Sequence, residues 1–464
     1  MKLPKYLFWL EWVKKVVWDP FWWVILFFVI LWVPFLRVWW WLFLPWMLQV
    51  QLKVLYRWWI NWDFDYANAK WVVLELVPPK EILTPFKAME DVFSVVWPLM
   101  DVGNFREQWC DGELENGPYW FSWEIASLEG RVHFYIRCLR GHKPTFEMAL
   151  YAHYPDLEIN EVPDYTRLVP STIPNEEWNM YGEDFDYRDG KEDAYPIKTY
   201  EKFLEPQGEK ISAEEKRMDP ILGLLEGLSR LGPGENYWVQ FITVPVNKHD
   251  EPDIYKSAQK IINKIAQRKE KKEPTFMDEL AYVARQFVFG PEKDGESFAW
   301  PKLEEDDETG ELRVSLTPGE RETISEVERK MSKSLFRTTI RGVYVARRDA
   351  WKSPNRIILR AYVSHFSSED LNQLGFRPES RTRIHYFLRE RRVFLRSRKM
   401  LRNAVMRFPP MFPKRMSDDL NPIMSSEELA SMFHLPMRTT GMISPTLEKI
   451  ESRKAGPPPN LPVE

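Results

Sequence analysis

The apolar positions of this chain change period several times, and each change marks an element. From Phe21 to Val50 the sequence is almost unbrokenly apolar, FWWVILFFVILWVPFLRVWWWLFLPWMLQV, with Arg37 its only charge. A helix rises about 1.5 Å per residue, so a roughly 30 Å hydrocarbon core takes about 20 residues, and the stretch predicts a membrane anchor. Pro34 and Arg37 fall mid-stretch, where a guanidinium at the bilayer centre is costly, so the segment reads as a transmembrane hairpin with Arg37 at the far interface. The second limb, Val38 to Val50, is short for a span, and a re-entrant or interfacial segment is the alternative. Trp39, Trp40, Trp41, Trp58 and Trp59 suit an aromatic belt at the headgroups, and Trp22 and Trp23 are expected in the membrane with them.

After Lys70 the pattern alternates between strand and helix periods. WVVLELV (Trp71 to Val77) is β-rich, and Thr84-Pro85 opens a helix with Phe86, Met89, Phe93, Val96 and Trp97 at three- and four-residue steps. Two alternating runs meeting at Glu129-Gly130 form a hairpin, followed by a helix from Pro144 to about Tyr154 and an extended piece from Leu157 to Val162. The order βαββαβ is the ferredoxin-like, split arrangement.

A partial echo follows. FDYRDG is strand-like, Asp219-Pro220 caps a helix ending at Gly232, and Tyr237 to Val246 is a strand. Helices at about Asp253 to Lys269 and Thr275 to Phe289 and a charged loop form an insertion. Thr317 and Glu320 then make a capping box, and Leu335 to Arg347 returns as a strand. Arg383 to Phe408 reads as a basic amphipathic helix, Ser425 to Glu428 as a second capping box, and KAGPPPNLP as an extended polyproline tail.

The expected fold class is therefore α+β, a transmembrane hairpin followed by two α/β domains. Residues 1–69 form the anchor of one or two transmembrane helices, and 70–180 a ferredoxin-like α+β domain. Residues 181–376 form a second α+β domain with a helical insertion, and 377–464 the basic helix, the short capped helix and the Pro-rich tail.

Charge sharpens this picture. The net charge is only -4 over 464 residues, yet the acidic excess lies in runs such as LEEDDETGE while Arg377 to Arg415 is heavily basic. Lysines and arginines flank the apolar segment on both sides, which by the positive-inside bias places the bulk of the chain in the cytoplasm, at the inner or cytoplasmic membrane. Only Cys110 and Cys138 are present, which matches a reducing compartment and excludes a cysteine-rich metal site.

The motifs of catalysis are missing. No G-x-x-x-x-G-K-[ST] phosphate loop occurs, and LGPGENYW reads as a helix stop and a turn into a strand. The seven histidines lack H-E-x-x-H spacing, DFDYRDGKED puts Arg188 where a calcium ligand is needed, and G-x-S-x-G is absent. No catalytic, cofactor or metal residue is assigned, and a non-enzymatic protein is expected. The chemistry that remains is cationic. Arg389, Arg391, Arg392, Arg396, Arg398, Lys399 and Arg402 share one helix, with Tyr386, Phe387 and Phe394 among them. Such a helix can follow a phosphate backbone, lie on anionic lipid or dock on an acidic protein surface.

The stretches EELASMFHLP, SPTLEKIESRKAGPPPNLP, AYPIKTYEKF, MDPILGLLEGLSRLGPGENYWVQF and RVHFYIRCLRGHKPTFEMALYAHYPDLEINEV resemble a membrane-anchored region of small-genome bacteria. That region stands ahead of HerA-like ATPases of the type IV secretion and conjugative DNA-transfer class. The similarity runs from about Trp71 to the end. In those proteins the Pro-rich stretch leads into the motor domain; here no phosphate-binding loop follows it. The resemblance thus implies an accessory subunit that recruits a HerA/VirB-like hexameric ATPase and assembles as an oligomer on it, with Glu427, Glu428, Phe433 and His434 as docking residues beside the basic helix. The lipid bilayer is the second expected partner. The alternative is a membrane-bound nucleic-acid-binding protein that holds DNA through the same arginines.

Overall fold

The structure is a computed structural model. It describes residues 69–79, 86–99, 120–188, 191–203, 219–246, 252–266, 292–294, 297–299, 316–384, 388–408 and 421–436, with isolated positions between 25 and 41. The contacts divide the chain into two units, residues 1–70 with 101–119, and residues 71–100 with 120–464.

In the first unit the described positions, Ile25, Phe27, Phe28, Val29, Trp32, Pro34, Val38 and Trp41, are helical. Among the described residues no helix is long and apolar enough to cross a membrane. The expectation of a transmembrane hairpin is corrected on that ground. Trp22, Trp23, Trp39 and Trp40 lie outside the described residues, and Trp41 is exposed.

The second unit is built on one antiparallel sheet. Its first half runs β1 (Trp71–Val77), α1 (Phe86–Val96), β2 (Phe121–Leu128), β3 (Arg131–Leu139), α2 (Lys143–His153) and β4 (Glu158–Val162). Apolar positions at helical steps, Met89, Val92, Phe93 and Val96, turn one face of α1 to the core. The β2–β3 turn needs Gly130, because its φ is +87° and a Cβ there would meet the Leu231 carbonyl oxygen at 2.4 Å. The strands lie in the order β2-β3-β1-β4, the split arrangement expected for residues 70–180.

The second half repeats the pattern. It runs β5 (Trp178–Tyr187), α3 (Pro220–Ser229) and β6 (Glu235–Val246), then an insertion of α4 (Pro252–Ile265), a small hairpin of β7 (Glu292–Asp294) and β8 (Ser297–Ala299), and α5 (Pro318–Ser332). It resumes with β9 (Leu335–Arg347), α6 (Ile358–Ser364) and β10 (Leu374–Phe376). Asp219 caps α3 by accepting the Ile221 N–H at 3.0 Å, and Thr317 and Glu320 form the expected box on α5. The strand order β6-β9-β5-β10 matches β2-β3-β1-β4 position for position.

The two halves are fused rather than separate. β2 pairs antiparallel with β6 along its whole length, Phe121 opposite Thr243 to Leu128 opposite Asn236. The sheet is continuous as β10-β5-β9-β6-β2-β3-β1-β4, and the expected boundary at 180/181 falls inside β5. The two-domain arrangement is corrected accordingly. The fusion joins two edges that would otherwise present open backbone groups.

Helices α1, α2, α3 and α6 share one core on one face, with Phe93, Phe121, Trp123, Phe134, Phe146, Phe241 and Tyr344 among its buried residues. The C-terminal segment completes that face. β11 (Ile423–Ser425) pairs with the start of β9, and α8 (Ser426–Met432) packs on α1. The other sheet face is covered by residues 163–177 and by α7 (Arg389–Met406).

Candidate functional site

Helix α7 is the basic helix expected from sequence, beginning at Arg389 rather than Arg383. Ser397, Met400, Leu401, Asn403 and Ala404 face the sheet, and the charges fall on the other sides. Close approach is possible because β5 carries Gly182 beneath it, where a Cβ would meet Met400 Cγ at 2.4 Å. The helix ends at Arg407, whose φ of +57° is the left-handed conformation that glycine usually supplies. An arginine there is explained by its side chain, which turns back beneath the helix.

That side chain belongs to a polar row crossing the sheet. Asn160, Glu75, Tyr135, Glu124, Gln240, Arg341 and Asp184 are cross-strand partners in register, from β4 to β5. Arg407 lies over the row, its Nε and Nη2 donating to Glu124 at 2.8 and 3.0 Å and its Nη1 to Asp164 Oδ2 at 2.6 Å. Arg341 donates to Asp184 at 2.7 Å. Burial alone would raise the Asp164 carboxyl, but the Arg407 guanidinium outweighs it and holds the group below the usual carboxylate range. Burial, reinforced by Glu124, pushes the Tyr165 hydroxyl well up; that hydroxyl donates to Glu124 at 2.6 Å.

The same donors grip the last turn of α7. Arg341 donates to the carbonyls of Asn403 and Phe408 at 2.9 and 2.8 Å, and Gln240 to Ala404 at 3.0 Å. Arg407 reaches Val405 at 2.7 Å, and Arg137 reaches Met406 at 3.3 Å. A helix leaves its last carbonyls without partners and carries partial negative charge there. Three guanidinium groups and an amide satisfy both needs at once, so the helix is clamped by its C-terminus.

The opposite face of α7 points outward. Arg389, Arg391, Arg392, Arg398, Lys399 and Arg402 are exposed, while Arg396 is half-buried and donates to the carbonyls of Pro378 and Arg381 at 2.8 and 2.9 Å. Arg396 therefore holds the helix to its neighbouring loop. Arg389, Arg391, Arg398 and Arg402 have no carboxylate in ion-pair range among the described residues, and Arg398 stacks on Phe394 at 4.8 Å. Tyr386 and Phe387 lie outside the described residues. A shallow groove lined by Pro174, Asn175, Glu176, Arg348 and Phe394 runs beside the helix.

The four expected docking residues of the tail lie elsewhere, inside the chain's own core. Glu428 caps α8 and pairs with Lys330 at 3.2 Å, both side chains fully buried. Glu427 pairs with Arg329 at 2.7 Å. The Phe433 ring lies 5.5 Å from Trp123, and His434 joins the Ala430 carbonyl and the Asp219 carboxylate at 2.9 and 2.8 Å. Their role as an exposed docking element is corrected: they close the helical face of the sheet.

LGPGENYW is the turn from α3 into the start of β6, as its pattern implies, with the Gly232 N–H donating to Glu235 at 2.9 Å. Within DFDYRDGKED, Asp184 and Asp186 are paired with Arg341 and Arg377. Among the described residues no group of three or more His, Cys, Asp or Glu is placed to hold a metal. Glu124, Gln240, Arg341 and Arg407 are not among the residues expected from sequence. The signal was there for the first three, a polar residue at mid-strand in FSWEIASL, ENYWVQFITVPV and LFRTTIRGVYVAR. No protein-family model matches this chain, and no curated protein matches it in sequence.

Proposed function

We propose that this chain is a non-enzymatic adaptor that presents the basic face of α7 to an anionic protein partner, and that the partner is a HerA/VirB-like hexameric ATPase of a type IV secretion or conjugative DNA-transfer system. The observation that carries the reading is the contrast between the two sides of α7. The inward side is neutralised and clamped, whereas the outward side gathers Arg389, Arg391, Arg392, Arg398, Lys399 and Arg402 with Glu390 as the one acid of the helix. Like charges one turn apart repel, and a partner of opposite sign relieves that cost. The motor enters through the resemblance of the flanking stretches, and assembly on a hexamer makes the adaptor oligomeric.

Membrane association belongs to the same proposal. The described helical residues Phe28, Trp32, Val38 and Trp41 expose large apolar side chains, which suits contact with a lipid surface at the cytoplasmic membrane. Titration of purified ATPase onto the full chain tests the docking. Binding that weakens as salt rises is expected, since screening shortens to about 3 Å at 1 M. Absence of binding, or binding indifferent to salt, removes α7 as the docking element.

A second reading has its own support in Arg398 stacked on Phe394, an arrangement that also suits a nucleic-acid strand. DNA affinity that falls steeply with salt and exceeds the affinity for the ATPase would favour it.

A further inference from the structure

The outward face of α7 is not uniformly charged. Arg391, Leu395, Arg398 and Arg402 follow one another at steps of four, three and four, so they form a single stripe along the helix. Leu395, 55% exposed, sits in the middle of it, with an arginine one turn away on either side. Phe394, 39% exposed, stands beside the stripe and lines the groove together with Pro174, Asn175, Glu176 and Arg348, whose one acid and one guanidinium offset each other. Leu388, 53% exposed, extends the apolar positions to the start of the helix.

We propose that this face is the docking site for an acidic amphipathic helix, whose carboxylates pair with Arg391, Arg398 and Arg402 while its apolar residues cover Leu395 and enter the groove at Phe394. This inference rests on the adaptor reading and specifies the partner element. Charge complementarity fixes the sign of the partner, because these three guanidiniums have no acid in range among the described residues. The apolar centre fixes its class. A phosphate backbone offers nothing to an exposed leucine at the middle of its track, whereas a helix laid along α7 buries it, the i, i+3, i+4, i+7 mode of helix recognition. The rim of cations around an apolar centre is also the usual layout of a protein interface. The clamp beneath α7 removes the cost of ordering it on binding.

The experiment compares three probes on the full chain. The first is a helical peptide with Leu on one stripe and Glu beside it, the second is the same composition scrambled, and the third is a short DNA duplex. The patterned peptide is expected to bind about tenfold or more tighter than the scrambled one, and Leu395→Ser is expected to remove about tenfold of that affinity. Phe394→Ala provides a second variant at the groove, expected to weaken the patterned peptide alone. Equal binding of the two peptides, or no effect of Leu395→Ser and Phe394→Ala, overturns the amphipathic partner and leaves a bare electrostatic surface, on which the adaptor reading still stands. Tighter binding to the duplex than to either peptide overturns it in favour of nucleic acid. Failure of all three probes to bind removes α7 as a docking face altogether, and the adaptor reading through this helix falls with it.

Discussion

At the scale of single residues, Arg407 carries the greatest weight. Its guanidinium is fully buried and pairs with both Glu124 and Asp164, while its backbone ends α7 in a left-handed conformation. Replacing it by leucine leaves those two carboxylates facing each other without a cation. Breaking a buried pair from one side typically costs about 3–5 kcal/mol, and Arg407→Leu is expected to lose that much in urea unfolding. Asp193 supplies a pH test. Burial raises its carboxyl to about 6 against the pull of Lys330. Because the folded value lies above the unfolded one, the folded chain holds a proton that the unfolded chain releases, so this group's contribution declines as pH rises from about 4 to about 6. Asp193→Asn is therefore expected to be more stable than the parent at pH 7, by on the order of 1–3 kcal/mol, with the gap closing towards pH 4. Thermal melting of both proteins across that range checks it. Neither environment is legible in the sequence: Asp193 closes the run DFDYRDGKED, whose pattern says nothing of its burial. Arg407 belongs to a run of arginines, and only its position past the last turn of α7, over Glu124, separates it from Arg402.

Elements fared better where their signals were local. The capping boxes at Thr317 and Ser425, the Asp219-Pro220 start and the Glu129-Gly130 turn are all formed, because each depends on residues within a few positions of one another. Their destinations were not legible in the same way. The short helix after Ser425 has the look of an exposed tail, with two glutamates and a histidine. In the fold, Lys330, Arg329 and Asp219 approach from distant parts of the chain and make those polar groups tolerable inside. A truncation follows from this. Ending the chain at Leu420 removes β11, α8 and the Phe433 ring from the core. Cooperative unfolding is then expected to be lost, since one buried aromatic alone is worth about 3–5 kcal/mol. A denaturant melt of this truncation against the full chain checks it.

At the scale of the whole molecule, the governing event is the pairing of β2 with β6. Both strands are buried on both faces nearly throughout, so neither carries the alternation that marks which edge is free. The sequence announces one βαββαβ pattern and a partial echo of it, without α6 (Ile358–Ser364) and β10 (Leu374–Phe376), which complete the second half. It could not announce that their equivalent strands join into one sheet, because that depends on edge-to-edge pairing across residues far apart. The fusion has a functional result. It makes the polar row from Asn160 to Asp184 continuous, and that row supplies the donors that hold α7 in place. The basic face is thus fixed by both halves at once. The most direct test of its role is recovery of the HerA/VirB-like ATPase with the full chain carrying Arg391→Glu, Arg398→Glu and Arg402→Glu together. These side chains are exposed, so the variant is expected to melt like the parent, and the account predicts that ATPase recovery is abolished. Undiminished recovery with the folded variant would contradict it.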